Sequence, residues 1–340
     1  MRRLYPVGMV FCFSVLLTGL ISFYGCQEDI DLIYDGTSRP VAYCLLNPRD
    51  SIHYLRVSRS FIVRGNPASE TIPADSLILD SEFYAYLEAE SPDGSRDLNY
   101  FELADMNQRD SGRFPKEGLV VLKTNCPVEG GKSYGLYIYF PTLSRIVAGS
   151  VTVADPIKIL DPDPLPGREI TILEDQGYMM RWTKSVKFAV YQPVIRFIYL
   201  EGDSHFQVRK QLEIPQPLVF GDSENAILTS FLNGAGFIDD LAKNIPPPDS
   251  GQRRKIIGFD ILLTTGGPEL AVFIRSGENA IGSFTGLDEY SNLDGAVGLY
   301  SSITYTGVYN NRFSDITVNH LADSDKTRTL GFLRYDEDFQ

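Results

Sequence analysis

Apolar residues in this chain fall in short runs or in alternation, separated by turn formers. Val41 to Leu46 is a continuous apolar run, Asn47-Pro48-Arg49-Asp50 is a turn, and Ile52 to Val57 carries β-branched and aromatic residues. Together they predict a hairpin. A polar, proline-containing stretch from Arg64 to Asp75 follows, then strands over Glu82 to Glu88 and Leu119 to Thr124, with Ser91-Pro92-Asp93-Gly94 a strong turn signal between them. Gly130-Gly131-Lys132-Ser133 precedes a strand from Tyr134 to Phe140. There Tyr134, Leu136, Ile138 and Phe140 share one face, and Gly135, Tyr137 and Tyr139 share the other. Strands spaced this way argue an antiparallel sandwich rather than a βαβ sheet.

Asp161-Pro162-Asp163-Pro164-Leu165-Pro166-Gly167 interrupts the pattern, because three prolines there oppose regular hydrogen bonding. It predicts a linker over 155–167 between an N-terminal β-sandwich domain, 39–154, and a C-terminal β-rich domain, 168–340. Beyond it, Tyr178 to Thr183 and Tyr191 to Glu201 predict strands, with the single Trp182 on the first. A tryptophan on an early strand followed by a long tyrosine-bearing strand resembles the core of fibronectin type III sandwiches.

Residues 223–244 break the β pattern. Ser223 can cap a helix, Ile227, Leu228, Phe231 and Leu232 repeat with helical spacing, Phe237, Ile238, Leu241 and Ala242 do so again, and Pro246-Pro247-Pro248 stops the run. A helical insertion is expected there. Strands resume at Lys255 to Thr264, Glu269 to Arg275, Val297 to Ile303 and Ile316 to Asn319. The expected fold class is mainly β: two antiparallel β-sandwich domains of immunoglobulin or fibronectin type III kind, with a short helical insertion in the second.

The first 25 residues read as a signal peptide: Met1-Arg2-Arg3, an apolar stretch from Val7 to Phe23, then Tyr24-Gly25 before Cys26. That stretch is nearly long enough to span a bilayer, so an uncleaved anchor or an ordinary secreted chain is the alternative. Gly25-Cys26 followed by Gln27-Glu28-Asp29 resembles the bacterial lipobox, in which the cysteine is acylated and the signal cut before it; Phe23 and Tyr24 are bulkier than that pattern favours. Lipidation is therefore expected at Cys26, with 26–38 an acidic tether. Each buried CH2 of an acyl chain contributes ~0.8 kcal/mol to anchoring.

Charge narrows the partners. The 340 residues carry a net charge of −13, and loss of Arg2 and Arg3 with the signal deepens it to −15. Such a surface repels phosphate backbones, so nucleic acid is not an expected partner, and no basic patch calls for anionic lipid. Outside the cytoplasm the remaining cysteines, Cys44 and Cys126, form an even pair that suggests a disulfide, with buried thiols the alternative.

Catalytic constellations are hard to find. Gly131-Lys132-Ser133 lacks the upstream glycine of a phosphate loop, since Cys126 stands there, and reads as a tight turn. His53, His205 and His320 lie far apart without zinc-site spacing, and each reads as a surface or partly buried polar residue. Asp161, Asp163, Asp323 and Asp325 suggest calcium ligands, but no calcium-loop glycine and distal glutamate follow. No metal, cofactor or catalytic residue is expected. Nineteen tyrosines, including Tyr137, Tyr139, Tyr300, Tyr305 and Tyr309, offer flat amphipathic surface suited to protein or glycan contact. Their simpler role is to stiffen sheets.

The lipidated start, the strands Pro40-Val41-Ala42-Tyr43-Cys44-Leu45-Leu46 through Val57-Ser58-Arg59-Ser60-Phe61, and Asn292-Leu293-Asp294-Gly295-Ala296-Val297-Gly298-Leu299-Tyr300-Ser301-Ser302 carry a family likeness. On these residues the chain resembles the Bacteroidota outer-membrane lipoproteins of domain of unknown function 4249 or a sister family. The resemblance implies a two-part β-rich lipoprotein with no catalytic residues to carry over, an accessory of a TonB-dependent transporter; Gln27-Glu28-Asp29 resembles a surface-export signal of that phylum, so the cell exterior is the expected side and the periplasmic face the alternative. The expected function is thus a non-enzymatic surface binding protein, its partners the membrane, through Cys26, and an outer-membrane transporter or surface component. A carboxylate-dependent secreted hydrolase and a structural, adhesin-like subunit are the alternatives.

Overall fold

A computed structural model of the protein describes residues 39–60, 82–90, 95–104, 120–141, 144–153, 157–163, 169–185, 188–222, 224–280 and 290–339. The signal peptide, Cys26, the acidic tether and Ser223 lie outside the described residues, as do the turn at 91–94 and part of the 155–167 linker.

In the first half run β1 (Pro40–Leu46), β2 (His53–Arg59), β3 (Tyr84–Glu90), β4 (Arg96–Tyr100), β5 (Glu102–Leu103), β6 (Val120–Thr124), β7 (Ser133–Phe140) and β8 (Arg145–Thr152). The expected hairpin forms: β1 and β2 pair antiparallel, and the Asp50 amide donates to the Asn47 carbonyl at 3.0 Å. Strands β4-β3-β7-β8 make a four-stranded sheet. Its buried residues, Ala85, Leu87, Tyr134, Leu136, Ile138, Phe140 and Val147, join Ala42, Cys44, Leu46, Leu55, Val57 and Leu122 from β1, β2 and β6 in one core. Two sheets packed across an apolar layer make a sandwich.

The second half adds β9 (Ile159–Asp161), β10 (Glu169–Ile170), β11 (Tyr178–Thr183), β12 (Val190–Gly202), β13 (Gln207–Pro215), β14 (Val219–Phe220), β15 (Ile227–Leu232), α1 (Gly234–Asn244), β16 (Arg253–Gly266), α2 (Pro268–Ala280), β17 (Val297–Phe313), α3 (Asp315–Asp323) and a 3-10 turn, Arg328–Leu330. The small sheet β15-β11-β9 supplies Ile159, Met180, Trp182, Leu228 and Leu232 to a second core. It meets Ile195, Phe197, Phe259 and Ile261 of the large sheet there, with Phe237 and Leu241 of α1 and Leu321 of α3. Phe197 sits at its centre, its ring 5.8 to 6.1 Å from those of Tyr199, Phe237, Phe313 and Phe332. The Trp182 ring lies 5.9 Å from that of Tyr191, so the expected tryptophan and tyrosine do meet in this core.

The cores divide near residue 155 except that Leu293 and Tyr300 join the first, and the halves are not separate compact units. One sheet, ordered β13-β12-β16-β17-β1-β2-β6-β5, runs through both, and Ser38–Gln340 forms one compact unit. β17 makes the join. Its first residues pair parallel with β1, from Val41 opposite Val297 to Leu46 opposite Ser302, those from Ile303 to Asn311 pair antiparallel with β16, and Arg312 and Phe313 pair parallel with β10. The large sheet is therefore mixed rather than purely antiparallel. Gly298 permits the approach: its φ is +134°, and a Cβ there would stand 1.9 Å from the Ala42 carbonyl oxygen.

Three element assignments differ from the sequence pattern. Ile227–Leu232 is a strand, not a helix; Leu228, Ser230 and Leu232 point inward and Ile227, Thr229 and Phe231 outward, with β11 as partner. Leucines four apart satisfy both periods, and the open edge of β11 selects extension. Glu269–Arg275 lies in α2, because Pro268 at the first helical position and Glu269 in the first turn favour helix. Ile316–Asn319 lies in α3, where the Ser314 hydroxyl accepts from the Thr317 amide and Val318 and Leu321 face the core. The helix within 223–244 is α1, capped by Asn233, whose Oδ1 accepts from the Gly236 amide at 2.8 Å.

Candidate functional site

Alternation along β3 and β7 decides what the four-stranded sheet shows to solvent. With Ala85, Leu87, Leu136 and Ile138 turned inward, Tyr84, Tyr86, Tyr137 and Tyr139 must turn outward. Register then aligns them: Tyr84 stands opposite Tyr139, Tyr86 opposite Tyr137, and on its other side Tyr86 opposite Tyr100 of β4. Five tyrosines from three strands thus share one face.

The central three shingle across the strands. The rings of Tyr86 and Tyr137 stack at 5.2 Å with planes 19° apart, and that of Tyr100 tilts onto Tyr86 at 5.6 Å. Gly135 gives Tyr137 room to lie down, since a Cβ there would come within 2.8 Å of its Cε2. Tyr100 and Tyr84 are 63% and 58% exposed, so ring surface remains for a partner. At one end Arg96 pairs with Glu88 at 3.1 Å. Burial, then the Glu88 carboxylate and the neighbouring phenols, push the Tyr86 hydroxyl above its ordinary value. It stays protonated at neutral pH and can donate as well as accept.

Beside this face a cleft of about 490 Å³ is lined by Phe83, Ala85, Phe101, Leu103, Val120 and Leu122, with Tyr84 and Tyr100 at its rim. A mainly apolar lining that also includes two tyrosines and Glu82 suits binding of amphipathic surface. Among the described residues, neither the face nor the cleft pairs a nucleophile with a base.

Of the tyrosines named from sequence, Tyr137 and Tyr139 belong here. Tyr305 and Tyr309 are exposed elsewhere on β17, Tyr305 beneath the Arg49 guanidinium at 5.6 Å. Tyr300 is fully buried, its hydroxyl donating to the Tyr134 carbonyl at 3.1 Å. Tyr84, Tyr86 and Tyr100 complete the face; the alternation in Tyr84-Ala85-Tyr86-Leu87 signals the first two, and Tyr100 joins only through its register with Tyr86.

Cys44 and Cys126 are not bridged; both are buried with free thiols. Strand β2 separates β1, which carries Cys44, from β6, and Cys126 lies just past the end of β6. Burial pushes the Cys44 thiol up to about 12; burial and then the Asp97 charge raise Cys126. His53 is 1% exposed rather than a surface residue. Gly131-Lys132-Ser133 is the expected tight turn: Gly131 has φ +84°, and Lys132 pairs with Glu129 at 2.8 Å. Asp161 pairs with Arg181, Asp323 with Arg334 and Asp325 with Arg328, so these carboxylates answer to cations of the chain itself. Among the described residues no group of three His, Cys, Asp or Glu side chains could hold a metal ion, and no helix is long and apolar enough to cross a membrane.

No protein-family model and no curated protein matches this chain. Solved structures similar to it include calcium binding domain CBD12 of CALX1.1, at 12% identity and TM-score 0.16, covering 78% of this chain and 98% of that one. CBD12 from CALX1.2 is 10% identical with TM-score 0.17, covering 81% and 100%. The C-terminal globular domain of an oligosaccharyltransferase from Pyrococcus abyssi is 12% identical with TM-score 0.18, covering 78% of this chain and 44% of that one. Likeness this distant carries no functional argument, and the mainly β fold stands on the strands and sheets described above.

Proposed function

We propose that this chain is a non-enzymatic cell-envelope lipoprotein, cut before Cys26, held in the outer membrane by acyl chains on that residue, and facing the cell exterior. It binds an outer-membrane transporter of the TonB-dependent kind, or a surface component that such a transporter serves. The observation that carries the binding reading is the tyrosine face. Five outward tyrosines on one small sheet, beside a mainly apolar cleft, offer the contiguous amphipathic surface that partners bury. The anchoring part rests on the sequence from Met1 to Asp29.

The test combines substitution with capture. After gentle crosslinking in cells, the intact protein should bring down a partner that Tyr86→Ala/Tyr100→Ala/Tyr137→Ala loses, while Tyr305→Ala, outside the face, retains it. Equal recovery by the triple variant would remove the face from the account. Metabolic palmitate labelling that persists in Cys26→Ala would remove the anchor, and resistance of the protein to protease added to intact cells would place it on the periplasmic side.

A further inference from the structure

A second hollow, of about 440 Å³, opens far along the chain, where β10, the start of β16, the end of β17, α3 and the segment after the 3-10 turn meet. Its volume falls within the range of small-molecule sites. The floor is apolar, built from Ile256, Phe313, Val318 and Leu333. Its charged rim runs against the character of the molecule. In a chain of net charge −13, three cations, Lys255, Arg312 and Arg334, line this hollow against a single carboxylate, Glu169.

Two of those cations are fixed by carboxylates outside the lining: Lys255 Nζ donates to Asp338 at 3.0 Å, and Arg334 pairs with Asp323. Tyr335 is held as well, its amide donating to Asn319 Oδ1 at 2.9 Å. Arg312 is different. Its side chain makes no ion pair or hydrogen bond among the described residues, although Glu169 lies opposite it in the parallel register of β10 and β17. Next to it, Phe313 turns into the floor. A guanidinium with its donors unengaged thus stands at the edge of an apolar hollow.

We infer that this hollow binds a small carboxylic acid with an apolar body. Arg312 meets the carboxylate through two parallel N–H groups, a geometry the planar guanidinium supplies without further ordering. Phe313, Val318 and Leu333 take the hydrocarbon. Glu169 favours a monoanion over a phosphate dianion, because its repulsion grows with ligand charge. This site is independent of the tyrosine face and shares no residue with it.

The test is calorimetric titration of the intact protein with octanoate and with phenylpropionate, each against its uncharged amide. Saturable binding of the acids is expected, with the amides weaker by about tenfold or more. Arg312→Gln should weaken the acids by about tenfold without moving the thermal midpoint, since the residue is exposed and unpaired. Glu169→Gln should tighten them by removing the competing charge, a gain that damage to the fold would not produce. Added salt should weaken binding. Absence of saturation by either acid, equal affinity for the amides, or an unchanged affinity in Arg312→Gln would each overturn the proposal.

Discussion

His53, Cys44 and Cys126 show how burial governs individual residues. The His53 side chain is closed inside the first sandwich, and desolvation holds its imidazole below the ordinary value, although the nearby Asp50 charge and a backbone hydrogen bond at Cys126 work the other way. Above the unfolded histidine value, about 6.5, both states are neutral and the fold keeps its full stability. As pH falls through that value towards the lowered folded one, the unfolded chain binds a proton that the folded chain refuses, so stability declines. Denaturant midpoints between pH 7 and 5 should therefore fall less steeply in His53→Leu than in the natural protein. The thiols give a simpler expectation. With both pushed upward by burial, neither Cys44 nor Cys126 should react with a thiol reagent in the native protein, and both should react once it is unfolded. One reactive thiol in the native state would contradict their burial, and none after unfolding without reductant would contradict the unbridged arrangement. The spacing of Tyr300 looked like surface; only the register that sets it opposite Cys44, with its hydroxyl on the Tyr134 carbonyl, made it core.

Among the elements, β12 and β16 meet over 13 register positions and carry a buried ion pair between Glu201 and Arg254. Arg254, 2% exposed, donates to Glu201 from Nε at 2.6 Å and from Nη1 to the carbonyls of Pro246 and Leu330 at 2.7 Å each. It thereby ties two strands to the chain after α1 and to the 3-10 turn. Burial alone would raise the Glu201 carboxyl, but hydrogen bonds and charge from Lys210 and Arg254 outweigh it and hold it below the usual carboxylate range. Removing one partner of such a buried pair costs about 3 to 5 kcal/mol, because the other charge is left uncompensated. Glu201→Ala, which strands the buried Arg254 guanidinium, should therefore lower unfolding free energy by about that amount in chemical denaturation, whereas Arg254→Ala leaves Glu201 paired with Lys210 and should cost less. Arg254→Met/Glu201→Gln should be milder, since it leaves no buried charge behind. A loss below about 1 kcal/mol in Glu201→Ala would show the pair to be solvated in practice.

For the molecule as a whole, β17 decides the cooperativity. Its start completes the first core, where Tyr300 packs, and its end completes the second, where Val308 and Phe313 pack. Neither half can expose its share of β17 without opening the other. Calorimetry should accordingly show one transition with matching van't Hoff and calorimetric enthalpies, and residues 39–154 expressed alone should lack a cooperative melt. Two resolved transitions would argue for independent halves after all.

By itself the sequence determined the class and much of the lattice of elements: alternation fixed which face of β7 is core, Asn-Pro-Arg-Asp fixed the first hairpin, and Trp182 marked an inner strand. Those signals are local, because side chains one or two positions apart set them. What the sequence left open is non-local. Leu228 and Leu232 suit a helix or a strand, and only the edge of β11 chose; Glu269 and Ile316 joined helices because Pro268 and Ser314 start them. The candidate site followed the same division. Alternation made Tyr137 and Tyr139 outward, but their meeting with Tyr86 and Tyr100 depends on register between strands distant in sequence. The union of two expected domains into one unit rests likewise on β17 lying against β1, a parallel pairing across more than 250 residues that no local pattern encodes.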